Sequence, residues 1–318
     1  MVARRRPSAA GIGGREPGSR RYTAAIVPTA VIAFDFDPYA RLGDAVVRWE
    51  TVGIAATLFA ALLFAGAAVQ SAGMRVDDLL FVVLGVVPGA VIGARLGYVL
   101  LHPSFFTESP MRILDPTAGS LELTLGVVGG AITGTIVGGL IDGRPGRWLR
   151  AGAVPMLVIL GFGKLAMVLG GSGQGQSTTG EPATAYLGAG PWGSLGPAIP
   201  SVPAQALEGI ATLGVLAALL IVLLASPLRH PDGRAFFLAL AAWCGVRAAV
   251  AMTWRDPVVV GTLRAEQVIA AVVAVGSLVL FLGVIVRTRL ARRGGADDAN
   301  DTDDADDAAS LDGEAVRL

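Results

Sequence analysis

This 318-residue sequence predicts an all-α polytopic membrane protein with about seven spanning helices. Three observations carry that prediction. Hydrophobic residues make up 53% of the chain against 16% charged, and the mean hydropathy is +0.63, beyond the range of ordinary soluble domains. Seven apolar stretches are long enough to cross a bilayer, which takes ~20 helical residues at a rise of ~1.5 Å each. Two of them carry glycine ladders with a strict spacing of four: Gly85, Gly89, Gly93 and Gly97, then Gly126, Gly130, Gly134 and Gly138. That spacing puts each set on one helix face, the device by which membrane helices bring their backbones close.

Residues 1–22 combine Arg4, Arg5, Arg6, Arg15, Arg20 and Arg21 with Gly, Ser and Pro, and read as disordered. The apolar run 24–34 is too short to span and is interrupted by Pro28, so it reads as interfacial or as the core of a weak signal sequence. Residues 1–45 are therefore expected to be a disordered to interfacial segment. The membrane domain, 46–290, has spans at roughly 50–70, 79–101, 121–141, 148–170, 205–226, 235–253 and 265–287. Residues 291–318 form a low-complexity Asp/Ala tail with nine acids between Asp297 and Glu314, expected to be solvated and disordered.

Short loops set the orientation through their arginines. A cytoplasmic C-terminus places Arg75, Arg144, Arg147, Arg150, Arg229, Arg234, Arg287, Arg289, Arg292 and Arg293 inside. Only Arg112, Arg255 and Arg264 then face out between spans, as does the long loop 171–204, which has no Lys or Arg. The arginine-rich start runs against this assignment, and the loops outweigh it. The lone Cys244 excludes an internal disulfide, and its apolar setting fits a packed thiol. His102 and His230 are far apart, so no histidine metal site is expected; neither is a cofactor or a nucleic-acid partner.

Chemistry is expected at three cations at membrane depth: Arg95 in Gly-Ala-Arg-Leu-Gly-Tyr (93–98), Lys164, the only lysine, and Arg247 in Trp-Cys-Gly-Val-Arg (243–247). A charge there is expensive and marks function, although any one of the three also fits snorkelling to a headgroup or bracing a helix. Without carboxylates in the same spans, the set favours a site for an anionic group, and a guanidinium's planar fork suits phospholipid phosphate. Arg247, Lys164 and Arg95 are expected to converge on one headgroup, with Gln205, Glu208 and Gln267 as polar neighbours. Glu50, Glu122, Glu208 and Glu266, nearer the span ends, are the available carboxylate partners; a solvated interface position is the plain alternative for each and the favoured one for Glu266.

Collinear motifs add a resemblance. Trp-Glu-Thr-Val-Gly (49–53), Asp-Asp-Leu-Leu (77–80), Gly-Ala-Arg-Leu-Gly-Tyr-Val-Leu (93–100), Gly-Ser-Leu (119–121) and Gly-Val-Val-Gly-Gly (126–130) are followed by Pro-Trp-Gly (191–193). Pro-Ala-Gln-Ala-Leu-Glu (203–208), Gly-Val-Arg (245–247), Arg-Asp-Pro (255–257) and Gln267 complete the order. Over residues 45 to 287 this resembles prolipoprotein diacylglyceryl transferase, a seven-span enzyme of the bacterial cytoplasmic (inner) membrane. The resemblance implies transfer of diacylglycerol from phosphatidylglycerol to the lipobox cysteine of a prolipoprotein signal peptide, with membrane lipids as surroundings and no cofactor. Arg247 matches a catalytic-type position cleanly.

Departures accompany the likeness. The family's His-Gly-Gly has no histidine in 123–130. Its Gly-Arg-x-Gly-Asn-Phe-x-Asn-Gly-Glu signature aligns with 163–172, so that its arginine becomes Lys164, its asparagines Met167 and Gly170, and its acid Ser172. Its His-Pro-Ser-Gln-Leu-Tyr-Glu is reduced to residues 202–208, and a usual tyrosine is Trp243. The implied catalytic set is Arg247 and Lys164 on the phosphate, with Glu122 near the absent histidine as the available base. Arg95, Gln205, Glu208 and Gln267 form the implied substrate-binding set. The alternatives are a catalytically silent relative that binds phospholipid or lipoprotein precursor, and a transporter, against which the chain shows no paired half-repeats.

Overall fold

The computed structural model describes residues 31–315 apart from 108, 116–118, 226–229 and 257. In chain order the helices are α1 (Trp49–Ser71), α2 (Val76–Leu101), the short α3 (Pro103–Thr107), α4 (Leu123–Asp142), α5 (Pro145–Val168), α6 (Ala204–Ala225), α7 (Arg234–Val250) and α8 (Ala265–Ala315). Seven of them, all but α3, are long and apolar enough to span a membrane, close to the predicted stretches. The protein is an all-α polytopic membrane protein.

Local chemistry sets the boundaries. Gly143 ends α4 with φ +68°, a left-handed conformation that costs glycine nothing, and its N–H closes on the Gly139 carbonyl. Pro145 opens α5 in its first turn, where a missing N–H is harmless. Pro88 and Pro155 lie inside α2 and α5, as membrane helices tolerate.

The ladders bring α2 and α4 together backbone to backbone. A Cβ at Gly89 would stand 2.5 Å from the Gly129 carbonyl oxygen, and one at Gly93 would be 3.1 Å from Gly129 Cα. Gly126 and Gly130 look onto Ala94 and Val86 at 3.0 and 3.2 Å. The closest approach thus runs through Gly129, one position off the predicted ladder, and Gly138 turns from α2 to Trp148 of α5. On the other side α1 packs on α5, α5 on α6 and α7 on α8. Leu157, Leu160, Leu219, Phe236, Leu240, Trp243 and Cys244 fill the core between α5, α6 and α7.

Each span reverses the chain, so the segments before α1, between α2 and α4, between α5 and α6 and between α7 and α8 share one end of the bundle. Two expectations need correction there and at the tail. Residues 31–45, assigned to a disordered or interfacial segment, build strands: β1 (Val31–Phe34), β2 (Tyr39–Leu42) and β3 (Ala45–Arg48). β1 pairs in parallel with β4 (Ala183–Tyr186) of the long loop, and Phe34 stacks on Tyr186 at 5.0 Å, while β2 and β3 form a hairpin. Burial against that loop stabilises a run too short to span. Residues 1–30 lie outside the described residues. The acidic tail continues α8 as helix to Ala315, because alanine is the best helix former and extending an existing helix avoids a new nucleus. β5 (Val258–Val260) and β6 (Leu263–Arg264) form a small hairpin before α8.

Candidate functional site

Five charged side chains from five helix ends meet near the loop end of the bundle. Lys164 lies one turn inside the end of α5, Glu208 one turn into α6, Arg247 one turn from the end of α7, and Glu266 in the first turn of α8. Glu122 caps α4, accepting from the N–H groups of Thr124 and, at 2.6 Å, Leu125. At ~1.5 Å per residue each sits within roughly 6 Å of a helix end.

Arg247 is the hub and is 3% exposed. Its Nε donates to Glu266 Oε1 at 2.7 Å and to Thr124 Oγ1 at 2.8 Å, while Thr124 donates in turn to Glu266 Oε1 at 2.8 Å. Its Nη1 donates to Glu208 Oε1 at 2.7 Å, and Nη2 stands 3.7 Å from Glu122 Oε1. The other oxygen of Glu208 faces Lys164 Nζ at 2.8 Å. Trp254 covers the pair from the loop side, with its ring 4.6 Å from the Arg247 guanidinium carbon and 5.2 Å from Lys164 Nζ. Three carboxylates therefore surround two cations in a largely buried region, where each lone charge would cost several kcal/mol, by the general ~20 kcal/mol scale of ion transfer reduced by relaxation.

Arg247, Lys164, Glu208 and Glu122 come together; the other sequence candidates do not all follow. Arg95 turns away from the cluster, and the expected three-cation convergence is corrected to two. Its guanidinium donates to the carbonyls of Arg112, Ile113 (2.8 Å) and Asp115 (2.8 Å), and it lies over the Phe106 ring at 5.1 Å. A planar five-donor fork satisfies several carbonyls of the loop after α2 at once. Gln267 braces the start of α8, accepting from Arg264 N–H at 2.9 Å and donating to the Ala248 carbonyl. Gln205 is fully buried one turn from Glu208 and donates to Tyr186 Oη at 3.2 Å. Burial pushes the Tyr186 phenol up to about 12, so it serves as a neutral donor to the Val168 carbonyl at 2.9 Å.

Sequence reasoning missed Glu266, Thr124 and Trp254. The acids that match the cations come from neighbouring helices and not from the same spans, and Glu266, read as a solvated interface residue, is 4% exposed. One signal was present: every acid in the cluster lies within a turn of the same end of the bundle as Arg247. Among the described residues no group of three or more His, Cys, Asp or Glu has metal-holding geometry.

Comparison with known proteins agrees with the seven-helix architecture. The model of the prolipoprotein diacylglyceryl transferase family matches residues 39–283. A phosphatidylglycerol–prolipoprotein diacylglyceryl transferase from Anaplasma marginale (strain Florida) is 28% identical over 275 residues, covering 82% of this chain and 92% of that protein. The enzyme of the same name from Clostridioides difficile (strain 630) is 21% identical over 233 residues, 73% of this chain and 89% of its own length. One from Thermus thermophilus is 31% identical over 93 residues, 29% of this chain and 33% of that protein.

Proposed function

We propose, from the premise that this chain belongs to the prolipoprotein diacylglyceryl transferase family, that it moves diacylglycerol from phosphatidylglycerol to the lipobox cysteine thiol of a prolipoprotein signal peptide. The observation that carries the reading is the Arg247–Lys164 pair, held at membrane depth near the loop end by Glu208. Two fixed cations under one tryptophan ring suit the phosphate of a lipid whose acyl chains remain among the helices. We place the loop end outside and the acidic tail inside, in a bacterial cytoplasmic membrane, from the arginine asymmetry of the short loops.

The chemistry is a displacement at the glyceryl carbon that bears the phosphate ester. The cysteine sulfur forms the new S–C bond, the C–O bond breaks, and glycerol phosphate leaves with the electron pair. Arg247 and Lys164 stabilise charge gathering on the departing phosphate, the positions where pre-oriented donors act most strongly. Thiolate is the nucleophile, and a free thiol has a pKa of about 8.5, so a base must take its proton. Glu122 is our candidate: its carboxylate is fixed by two backbone N–H groups of α4 and has only a long contact, 3.7 Å, to Arg247. Lys164 holds phosphate as a point charge, whereas the family's arginine would grip it with two prongs. Arg95 fixes the loop roof over this end of the bundle, and Gln205 with Gln267 sets the helix starts beside it.

The test is complementation. Expressed in a strain depleted of its own transferase, the chain should return diacylglycerol to prolipoprotein, Arg247→Ala should not, and the exposed Arg75→Ala should match wild type. Lys164→Arg should keep phosphatidylglycerol binding. A wild-type chain that is well folded and binds phosphatidylglycerol yet never labels prolipoprotein would overturn the reading.

A further inference from the structure

The departures from the family signature at Gly170 and Ser172 point at one side chain on a different helix. Glu50 is the second residue of α1, a position where an acid ordinarily serves the helix N-terminus from solvent. Here it turns inward, and its side chain is only 12% exposed. Ser172 Oγ donates to Glu50 Oε2 at 2.9 Å, and Arg48 Nη2 stands 3.4 Å from the same oxygen. Arg48 also donates to the Gly170 carbonyl at 3.2 Å, so acid, arginine and loop form one knot. Gly170 makes the room: a Cβ there would lie 2.8 Å from both Cβ and Cδ of Glu50 and would collide with its Oε2. The glycine and serine that stand where the signature has asparagine and acid are thus the two residues that accept this carboxylate.

The placement matters because residues 170–172 join the two halves of the site. Lys164 lies six residues upstream, and Gly173, with φ +76°, brings the chain beside Gln205, whose helix carries Glu208 one turn further on. Gly193 N–H also closes on the Gly170 carbonyl at 2.8 Å, anchoring the far end of the long loop to the same segment.

We infer that Glu50 is a positioning residue for the transfer reaction, supplying from α1 the carboxylate that the family signature carries at the position of Ser172. The inference rests on the transferase reading above. Glu50 orders residues 170–172, and through them the register of Lys164 against Glu208, without itself touching substrate.

Relocating the charge is the decisive experiment. In membranes assayed for prolipoprotein modification, Glu50→Gln should slow transfer by about tenfold or more, as expected when a supporting group is lost. Ser172→Glu alone should also slow it, since two carboxylates would then face each other. The double variant Glu50→Gln/Ser172→Glu should recover to within about threefold of wild type, because the charge is restored on the other element. A structural readout runs beside it: the unfolding midpoints of Glu50→Gln and Ser172→Ala in detergent should each fall, and the pair together should fall no further than the worse single. A double variant as slow as Glu50→Gln, or additive midpoint shifts, would overturn the assignment. Should the wild type and every variant transfer nothing while the midpoints remain coupled, the transferase reading fails and the Glu50 knot stands.

Discussion

Replacing Gly89 by alanine tests whether the two glycine ladders hold the site together. The new Cβ would sit 2.5 Å from the Gly129 carbonyl oxygen, whereas ordinary contact begins at 3.4 Å, so α2 and α4 must part by the difference, about 0.9 Å. A gap of ~0.5–1 Å forfeits a quarter to a half of each dispersion contact along the seam, and overpacking of this kind typically costs ~1–3 kcal/mol. Alanine's better helix propensity returns ~1 kcal/mol, leaving a net loss of roughly 0–2 kcal/mol. Gly66→Ala in α1 is the matched control: nothing lies within 4 Å of its Cβ, so it reports the backbone effect alone and should be neutral or slightly stabilising. Gly129→Ala should resemble Gly89→Ala, because its Cβ also meets backbone, while Gly130→Ala should be milder, because its nearest contacts, Val86 and Ala90, stand at 3.2 and 3.3 Å. Unfolding free energies in mixed micelles would give the order. Equal effects at positions 66, 89 and 129 would refute the argument that backbone approach is what the glycines provide. The consequence reaches the site, since α4 begins at Glu122 and Thr124, and a Cβ at Gly97 would already press on Glu122 Oε2 at 2.7 Å.

Three further expectations follow from the geometry. Glu208→Gln leaves two buried cations short of their shared carboxylate and should cost ~3–5 kcal/mol in unfolding free energy, whereas Lys164→Met combined with it should cost less than the sum of the two singles. Arg95→Met should release the loop after α2, seen as faster tryptic cleavage at Arg112 in intact spheroplasts; unchanged cleavage would show that the carbonyl contacts do not hold that loop. Reporter fusions after residues 190 and 295 should report opposite sides of the membrane, and the same side for both would contradict an odd number of spans between them and the outside assignment of the long loop.

The sequence made the spans and the helix-packing device legible because both are written in local terms: apolar length and glycine spacing. The seam through Gly129 was not legible, since which face of α4 meets α2 depends on how the helices rotate against each other, and the ladder spacing allows both faces. The same limit applies to the charges. Arg247 and Lys164 stood out as cations at membrane depth, but their partners Glu208 and Glu266 belong to other helices, and no spacing within one span reveals a contact across the bundle. Arg95 looked equivalent to them in sequence and differs only in what lies opposite it, a loop whose backbone carbonyls accept from its guanidinium. The strand Val31–Phe34 was missed for a related reason: its partner lies about 150 residues later, at Ala183–Tyr186.

On the proposed reading, in which Arg247 and Lys164 take the lipid phosphate, the three carboxylates keep both cations paired beforehand and single out the acid that yields. Bare buried cations are not maintainable, and Arg247 and Lys164 are both paired with glutamates. An entering phosphate replaces one anion by another in a largely buried place, and the exchange costs least where the existing contact is weakest. That contact is Glu122 at 3.7 Å from Nη2, against 2.7 Å for both Glu208 and Glu266. Glu122 has a second hold, the two N–H groups at the start of α4, and so stays in place when Nη2 turns to phosphate. Under the transfer reaction proposed above, anion binding and base release would become one event, the phosphate that draws on Arg247 freeing Glu122 to take the thiol proton. Glu122→Gln separates the two. Its amide oxygen keeps one of the two N–H contacts of the helix cap and gives up the other, and it gives the phosphate less competition, so phosphatidylglycerol binding should hold. Transfer should fall by about 10²–10⁴-fold, the usual loss when base assistance is removed. Parallel loss of binding and transfer would mean that Glu122 supports the fold of the site instead, and would return the search for the base to Glu266 and Glu208.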